Sequence, residues 1–469
     1  MFIKQLYTGC LSEAAYYIES NGEAAVIDPL RDIDEYLELA EERQSKIKYI
    51  FETHFHADFV SGHLDLSKVT GATIVYGPGT ETKFPVHIAV DGETFQIGRV
   101  KIEVLHTPGH TLESSCYLLT DENGKDHAVF TGDTLFVGEV GRPDLAQKGK
   151  ELTTADLAAM MYDSLQEKII PLGDNVIVYP AHGPGSACGK NLGPETFSTI
   201  GEEKKFNYAL RQASKQEFVD AVTTGLEDPP EYFPINARIN KEGYDSLDEL
   251  VDKGTRQLSI PEFKSLVSEG AIILDTRKAS IFTEGFVPGS IGIGLEGRFA
   301  EWAGSLLPFD QSIVMVVEPG KEKESVIRLA RVGFDKILGC LNGGFPAWKN
   351  AGEEIDMIIN VEPDELVMDI PFDENLIVLD VRKPTEFAEG HIDGAVNIPL
   401  NELTDPGNMA TFKDDDNIYI HCGGGYRSVI ASSLFKRQDI HNIRNVIGGW
   451  NKIKELEKVE IVKEKSILN

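Results

Sequence analysis

The sequence predicts an α/β protein built in two unlike parts, and three observations carry the prediction. From the N-terminus to about residue 183, short apolar runs end again and again in a sharp turn that presents a histidine or an aspartate. From residue 273 onward a strand–helix pattern repeats itself at an offset of 105 residues (378 − 273). Between the two, from Gly225 to about Gly254, the pattern weakens around a Pro-rich stretch. The chain has 469 residues, too many for one core, so two to four domains are expected.

Composition narrows the class of function. Apolar residues make up 41% and charged residues 26%, ordinary for a globular protein. A net charge of −31 argues against nucleic acid and anionic membrane surfaces as partners, while leaving room for a small anion in one basic pocket. No apolar run approaches a membrane span, and Met1-Phe2-Ile3-Lys4-Gln5-Leu6 lacks a signal-peptide pattern. Five scattered cysteines (Cys10, Cys116, Cys188, Cys340, Cys422) do not make a disulfide framework. They point to a reducing compartment, so a cytoplasmic location with free thiols is expected.

In chain order, Glu23–Pro29 reads as a strand and Ile33–Gln44 as a helix capped by Asp32. Ile47–Phe51 is a buried strand that delivers Thr53-His54-Phe55-His56-Ala57-Asp58-Phe59, followed by His63. Residues i and i+2 at a strand end can face one ion, so two imidazoles and a carboxylate at this spacing point to metal chemistry. Ala72–Tyr76 and Lys101–Leu105 read as strands, the latter leading to His110. Ala128–Phe136 is a strand whose Gly turn presents Asp133. A helix is expected over about Thr154 to Lys168, then a strand from Val176 that delivers His182 into a Gly/Pro loop. Loops held by a rigid sheet are where sites are usually built. Glu227–Pro234 is expected to run along a surface as a domain boundary.

The set His54, His56, Asp58, His110, Asp133 and His182 resembles the metallo-β-lactamase superfamily over roughly residues 1–245. The resemblance implies an αββα sandwich with metal loops at one edge. The family pattern is His-x-His-x-Asp-His, whereas Phe59 follows Asp58 here. The second metal position has thus lost its imidazole, and a mononuclear centre at His54, His110 and Asp133 is expected. Two imidazoles and one carboxylate with open positions suit Fe(II) and dioxygen. Thr53-His54-x-His56-Ala57-Asp58, Thr107-Pro108-Gly109-His110-Thr111, Gly132-Asp133-Thr134-Leu135-Phe136 and Gly141-Arg142-Pro143-Asp144 are similar to the persulfide dioxygenase branch of that superfamily. That likeness implies one Fe(II) per chain and no organic cofactor, with His56 and Asp58 orienting ligands or bound water. His182 has two readings, a companion of that kind or a structural loop histidine. Arg142 also has two, a fork for a substrate carboxylate or an internal ion pair with Asp144. Cys188, in a Gly-rich loop with Lys190 nearby, is either an inert buried thiol or, as in dioxygenases fused to sulfurtransferase domains, a holder of sulfane sulfur.

In the repeat, Ile273-Leu274-Asp275-Thr276-Arg277-Lys278 aligns with Val378-Leu379-Asp380-Val381-Arg382-Lys383, and Gly343-Gly344-Phe345 with Gly448-Gly449-Trp450. The period is far longer than a solenoid repeat, so two tandem parallel-sheet α/β domains are expected, at 256–358 and 362–469. The second carries His421-Cys422-Gly423-Gly424-Gly425-Tyr426-Arg427-Ser428 ahead of a helix from Val429 to Phe435. Three glycines let backbone N–H groups curl around one sulfur at a helix N-terminus, which stabilises a thiolate or persulfide, and Arg427 adds charge. Together with Asp380-x-Arg382 and Gly390-His391-Ile392-x-Gly394, the loop resembles a rhodanese sulfurtransferase, which implies Cys422 as sulfur carrier and Gly423, Gly424, Gly425 and Tyr426 as the binding cup. Arg427 follows Cys422 by five residues, too close for the Cys-x5-Arg phosphatase cup. In the first copy Glu318 stands at the cysteine position and Pro319 removes a donor, so that domain is expected to be catalytically silent.

The expected function is therefore an iron persulfide dioxygenase fused to a sulfurtransferase. Its expected partners are dioxygen, a glutathione or coenzyme A persulfide, and sulfite or thiosulfate, with a homo-oligomer suggested by similar fusions. Two alternatives stand beside it. One is a zinc-dependent thioester hydrolase of the glyoxalase II type, which Phe59 disfavours; the other is a sulfur-carrier scaffold in which only Cys422 works.

Overall fold

The computed structural model describes residues 1–146, 152–190, 192–226, 228–457 and 459–464. Glu227 of the expected boundary stretch, and Lys458 and residues 465–469 of the last expected domain, lie outside the described residues. The chain divides into two compact units, Met1–Leu247 with Ala330–Gly333, and Asp248–Leu329 with Phe334–Asn469.

The first unit holds two six-stranded sheets. One runs β1 (Phe2–Thr8), β2 (Glu13–Ser20), β3 (Glu23–Ile27), β4 (Lys46–Phe51), β5 (Thr73–Tyr76) and β6 (His87–Ile88), antiparallel through β3 and parallel beyond it. The other contains β7 (Thr94–Ile97), β8 (Val100–His106), β9 (Ser115–Thr120), β10 (Asp126–Gly132), β11 (Ile177–Pro180) and β12 (Ser198–Thr199), with β10 and β11 parallel. Every residue of β2 is buried because both faces are covered. Ala14, Tyr16 and Ile18 meet Phe51, Phe95, Tyr117 and Phe130 between the sheets. Ala15 and Tyr17 point the other way, toward Tyr36, Leu39 and Leu66 of the outer helices α1 (Asp34–Glu42) and α2 (His63–Thr70). The second sheet is covered by α3 (Thr154–Ser164), α4 (Ile200–Phe206) and α5 (Lys215–Thr223), which seat Met161, Ile200 and Phe218 against Val129 and Val178. Helix, sheet, sheet, helix is the layering that the motif resemblance implies.

Local expectations needed three corrections. Helix α1 has Ile33 at its cap position with no side-chain cap bond, so Asp32 is not the cap. Helix α3 ends at Ser164 and continues as a π turn over Leu165–Ile169. The stretch expected as a surface boundary at 227–234 does run along the surface over residues 228–231 but lies inside the first unit, and it leads into α6 (Phe233–Glu242), whose Phe233 is buried along with Tyr232 and whose Pro234 sits in the first helical turn, where a missing N–H costs nothing. From α6 the Asn240 amide donates to the carbonyls of His56 and Phe59, both at 2.8 Å, so this segment holds the histidine loop in place.

The second unit contains two parallel five-stranded sheets of the same order. The first is β13 (Gln257–Leu258), β17 (Ile337–Leu341), β16 (Ile313–Val316), β14 (Ile272–Asp275), β15 (Ile291–Gly292). The second is β18 (Ile359–Val361), β23 (Ile443–Val446), β22 (Asn417–His421), β19 (Leu376–Asp380), β21 (Val396–Asn397); a short pair, β20 (His391–Ile392) and β24 (Ile461–Val462), lies apart. Among the described residues no helix is long and apolar enough to cross a membrane.

The repeated Asp-x-Arg is an architectural device. Arg277 binds Asp275 at 2.6–3.0 Å and donates to the Gly285 carbonyl at 2.9 Å; Arg382 repeats this with Asp380 and Gly390. Each guanidinium lies over an aromatic ring, Phe345 at 4.4 Å and Trp450 at 4.5 Å. Removing one partner of a buried pair leaves the other charge stranded, so Arg277→Ala is expected to destabilise the second unit by about 3–5 kcal/mol. Denaturant unfolding of that unit reads this directly, and a loss below about 1 kcal/mol would assign the pair to the surface class.

Candidate functional site

Three loops converge at one edge of the first unit's sandwich. The exit of β4 brings His54, the turn after β8 brings His110, and the turn after β10 brings Asp133. Gly132 takes φ +51° there, and a Cβ on it would sit 2.6 Å from the Thr53 side chain, so only glycine lets β10 close against the histidine loop. One donor atom each from His54, His110 and Asp133 lies within 4.8 Å of the others, and all three residues are buried.

Hydrogen bonds fix which nitrogen of each ring is available. His110 Nδ1 lies 2.9 Å from the Arg142 carbonyl, which can only accept, so its proton is on Nδ1. Thr53 Oγ1 donates to Asp28 at 2.8 Å and therefore accepts from His54 Nδ1 at 2.9 Å. Both rings thus turn Nε2 toward Asp133 Oδ2, at 3.3 Å from His110 and 4.0 Å from His54. Neither Asp133 oxygen, nor His110 Nε2, has a hydrogen-bond partner among the described residues. Burial, followed by His56, His110 and His182, holds the His54 pKa well below its ordinary value. Buried nitrogen and carboxylate atoms without hydrogen-bond partners are costly, and a cation satisfies them together; these residues fit a divalent ion of the two-imidazole, one-carboxylate class.

His56 has turned elsewhere. Its Nε2 is 3.0 Å from Asp28 and 3.5 Å from Glu52, and its ring stacks on Phe59 at 4.3 Å. Burial opposes the charged ring, but Asp28, then Glu52 and Asp58, bring its pKa up to about 10. His56 is therefore an imidazolium locked beside His54, 4.3 Å ring to ring. His63 starts α2 at 3.6 Å from Glu52, and burial with His56 nearby takes its pKa down to about 3. Partners of this kind tune the ligand they support, so His56→Gln is expected to weaken metal retention by about 10- to 100-fold, read by competition with a chelator, with near-ultraviolet circular dichroism reporting the cost of leaving Asp28 and Glu52 without their cation. Sequence reasoning missed Asp28 and Glu52. The one local signal is Asp28's place at the strand end, where it adopts φ +49°.

Asp58 is paired with His182, Oδ2 to Nε2 at 3.4 Å, and His182 Nε2 is also 3.5 Å from Asp133 Oδ1. Arg142 takes the internal ion pair of its two readings. Its guanidinium grips Asp144 at 2.7 and 2.8 Å and donates to the Ala187 carbonyl, so a fork turned to substrate is not what the geometry displays. Cys188 is buried, with Asp58 and His182 as neighbours. Burial raises its pKa well above the ordinary thiol range, and Asp58 and Asp133 push the same way. Lys190, expected to favour a thiolate, instead donates to the carbonyls of Ala221 and Thr224.

The second unit's cup is built at the end of β22. Cys422 is buried and receives the Gly425 N–H at 3.1 Å, with Ser428 Oγ at 3.7 Å, at the N-terminus of the helix Tyr426–Arg437. The Cys422 and Gly423 carbonyls accept from the N–H groups of Trp450 (2.6 Å) and Asn451 (2.9 Å). That contact explains the Gly448-Gly449-Trp450 motif, because a Cβ on Gly449 would stand 2.2 Å from the Cys422 carbonyl. Gly449→Ala is expected to shift the cup and cut sulfur transfer by about 10²-fold without removing the thiol, as measured by thiosulfate-to-cyanide transfer alongside thiol titration. Arg427, expected to add charge at the cup, has its guanidinium paired. It is held bidentate by Glu386 at 2.6 and 2.8 Å. The Tyr426 phenol donates to the Gly294 carbonyl of the preceding copy at 2.7 Å. In that copy the Glu318 carboxylate accepts the Lys278 N–H at 3.2 Å, and no thiol stands at the loop.

Comparisons with known proteins follow this division. Residues 8–182 match the metallo-beta-lactamase superfamily, and residues 259–351 and 363–456 each match the rhodanese-like domain. A probable hydroxyacylglutathione hydrolase of Schizosaccharomyces pombe is 30% identical over 232 residues, covering 44% of this chain and 85% of its own. The mitochondrial persulfide dioxygenase ETHE1 of Bos taurus is 33% identical over 199 residues, covering 42% of this chain and 70% of its own. A solved metallo-beta-lactamase structure from Staphylococcus aureus subsp. aureus COL aligns with TM-score 0.66 and 32% identity, over 73% of this chain and 99% of that one.

Proposed function

The chain belongs to the metallo-beta-lactamase superfamily and carries two rhodanese-like domains behind that fold, and from this premise we propose that it is an iron-dependent persulfide dioxygenase coupled to a sulfurtransferase. The observation that supports this reading over its rival is the orientation of His56. A zinc hydrolase wants more nitrogen ligands. Here the third imidazole of the neighbourhood is spent on Asp28 and Glu52, which leaves His54, His110 and Asp133 as a set of two nitrogens and one carboxylate.

A ferrous ion in that seat supplies dioxygen activation and a Lewis-acidic place for sulfur. The chain's own residues do the rest. Thr53 and the Arg142 carbonyl fix the two imidazole tautomers, and the His56 imidazolium balances the carboxylates behind them. In balance, one thiol persulfide, one dioxygen and one water give one thiol, one sulfite and two protons, with four electrons passing from the terminal sulfur to dioxygen. Glutathione or coenzyme A is the proposed carrier thiol. In the second unit, Cys422 first takes the outer sulfur of a second thiol persulfide, whose S–S bond breaks to release the carrier thiol, and sulfite then attacks that outer sulfur. The Cys422 S–S bond breaks, the S–S bond of thiosulfate forms, and Cys422 is left as a thiol. Placing both reactions on one chain raises the effective concentration of the shared sulfite.

The test is the metal content of protein purified without oxygen, followed by oxygen uptake with glutathione persulfide. Iron with uptake supports the reading. Zinc, with hydrolysis of a glutathione thioester and no uptake, supports the hydrolase suggested by the Schizosaccharomyces pombe relative.

A further inference from the structure

We propose that Arg331 is a positioning residue for the metal set: together with Ala330 it clamps the loop 28–32 onto the histidine loop and so fixes where His54 stands. The proposal rests on reading His54, His110 and Asp133 as the metal set, and it holds whichever divalent ion they carry.

Three observations carry it. First, Ala330–Gly333 belongs to the first compact unit, although in sequence it lies within the first rhodanese-like match, residues 259–351. Second, this short segment bonds to two loops at once. The Arg331 carbonyl accepts the Val60 N–H at 2.7 Å, and Val60 is buried, so without that carbonyl the N–H would lose its partner away from water. The Arg331 guanidinium grips both oxygens of Asp32, from Nε at 2.7 Å and from Nη2 at 2.8 Å, while Nη1 lies 3.9 Å from Cys10 Sγ. The Ala330 carbonyl accepts from Arg31 Nη1 at 2.8 Å. Third, the loop it grips is the one that orients the metal set. Asp28 accepts the Thr53 N–H at 2.7 Å and the Thr53 hydroxyl at 2.8 Å, and Thr53 Oγ1 in turn meets His54 Nδ1 at 2.9 Å. The Pro29 carbonyl accepts from the Gly62 N–H at 2.8 Å and from the Ser61 hydroxyl at 2.9 Å.

Neither 28–32 nor 52–62 belongs to a strand or a helix, so each loop depends on contacts of this kind for its position. The two are pressed close, since a Cβ on Gly62 would stand 2.1 Å from the Leu30 carbonyl. A shift of 28–32 therefore reaches Thr53 through Asp28, and the His54 ring through Thr53. The Asp32–Arg331 pair suits a clamp. Its side chains are 29% and 15% exposed, and a two-pronged guanidinium–carboxylate contact fixes direction as well as energy. Neither residue contributes an atom to the metal set, so its effect falls on how tightly the set holds an ion. Residues that orient ligands change metal affinity by about 10- to 100-fold, and Arg331, which acts through a loop, belongs at the lower end.

Competition between the full-length protein, carrying its resident metal, and a chromophoric chelator tests the proposal. Arg331→Met is expected to raise the apparent metal dissociation constant by about 10-fold, and Asp32→Asn by about the same factor. Both act through one pair, so the double variant should hold metal no more weakly than either single variant. Near-ultraviolet circular dichroism reports on folding, and Asp32→Asn, which leaves the 330–333 segment unaltered, carries the test if Arg331→Met does not fold. A role in stability alone would lower the unfolding midpoint of the metal-free chain and leave the dissociation constant at its wild-type value. That result overturns the proposal, and so does a double variant whose losses multiply. Asp133→Asn is the control. If it loses its metal while folded Arg331→Met and Asp32→Asn keep theirs, the positioning role falls and the metal set stands. If Asp133→Asn holds its metal as tightly as wild type, the set itself fails and takes this proposal with it.

Discussion

If the first unit is the iron dioxygenase proposed above, Asp133→Asn is expected to strip its metal and take oxygen uptake down with it, by at least about 10³-fold. The carboxylate is the one anionic member of the set, and both imidazole lone pairs turn toward its Oδ2. The amide keeps the shape but removes the negative charge and turns one oxygen into a donor, which would point N–H groups at an ion. A thousandfold loss corresponds to about 4 kcal/mol, which is what losing a positioned Lewis acid is worth at 1.36 kcal/mol per decade. Metal analysis and an oxygen electrode on the same preparation read the two effects together. Thiosulfate sulfurtransferase activity, measured in parallel, should stay within about twofold, because Cys422 belongs to the other compact unit. A variant that keeps its full iron content would mean that Asp133 is not a ligand. The contrast with His56→Gln is part of the expectation, since a supporting residue costs one or two decades where a ligand costs three or more.

Periodicity and local turn chemistry govern how much of this chain is legible in its sequence. His54, His110 and Asp133 announce themselves because each sits at the end of a short apolar strand, and a strand end fixes direction. The repeat was equally legible, since Asp275-x-Arg277 and Asp380-x-Arg382 mark one position in two sheets of identical order. What stayed hidden was set by partners remote in sequence. Nothing near His56 says that its ring turns to Asp28, 28 positions earlier (56 − 28), rather than to the His54–His110–Asp133 set. The charge that Arg427 brings to the cup is paired by Glu386, 41 residues away, which no local pattern announces. Lys190 looked like a neighbour of the Cys188 thiol because it is two residues off, yet its ammonium caps the carbonyls that end α5. The Pro-rich stretch before Phe233 read as linker because proline and acidic residues dominate it, and the burial of Tyr232 and Phe233 shows that two aromatic rings decide the outcome instead.

Cys422→Ser should abolish sulfur transfer and change the product of the whole chain without touching the oxidation step. A serine hydroxyl fills the cup and accepts the Gly425 N–H as the sulfur does, so the fold has no reason to change. Oxygen cannot form the S–S bond that carries sulfane sulfur, so transfer from thiosulfate to cyanide should fall to background, at least about 10³-fold down, a barrier increase of about 4 kcal/mol. The preceding copy cannot compensate, because its loop carries the Glu318 carboxylate at that position and Pro319 after it. Oxygen uptake with glutathione persulfide should remain within about twofold of wild type. The decisive readout is the sulfur product. Wild type consuming excess persulfide should release thiosulfate, because sulfite formed in the first unit is met by the Cys422 persulfide, whereas the variant should release sulfite in proportion to oxygen consumed. Thiosulfate from the variant at the wild-type rate would mean that the first unit makes it unaided, and the role assigned to Cys422 would fall. Sulfite in place of thiosulfate, with oxygen consumption intact, would fix the order of the two reactions: oxidation at the histidine–aspartate set first, capture of sulfite at the glycine cup second.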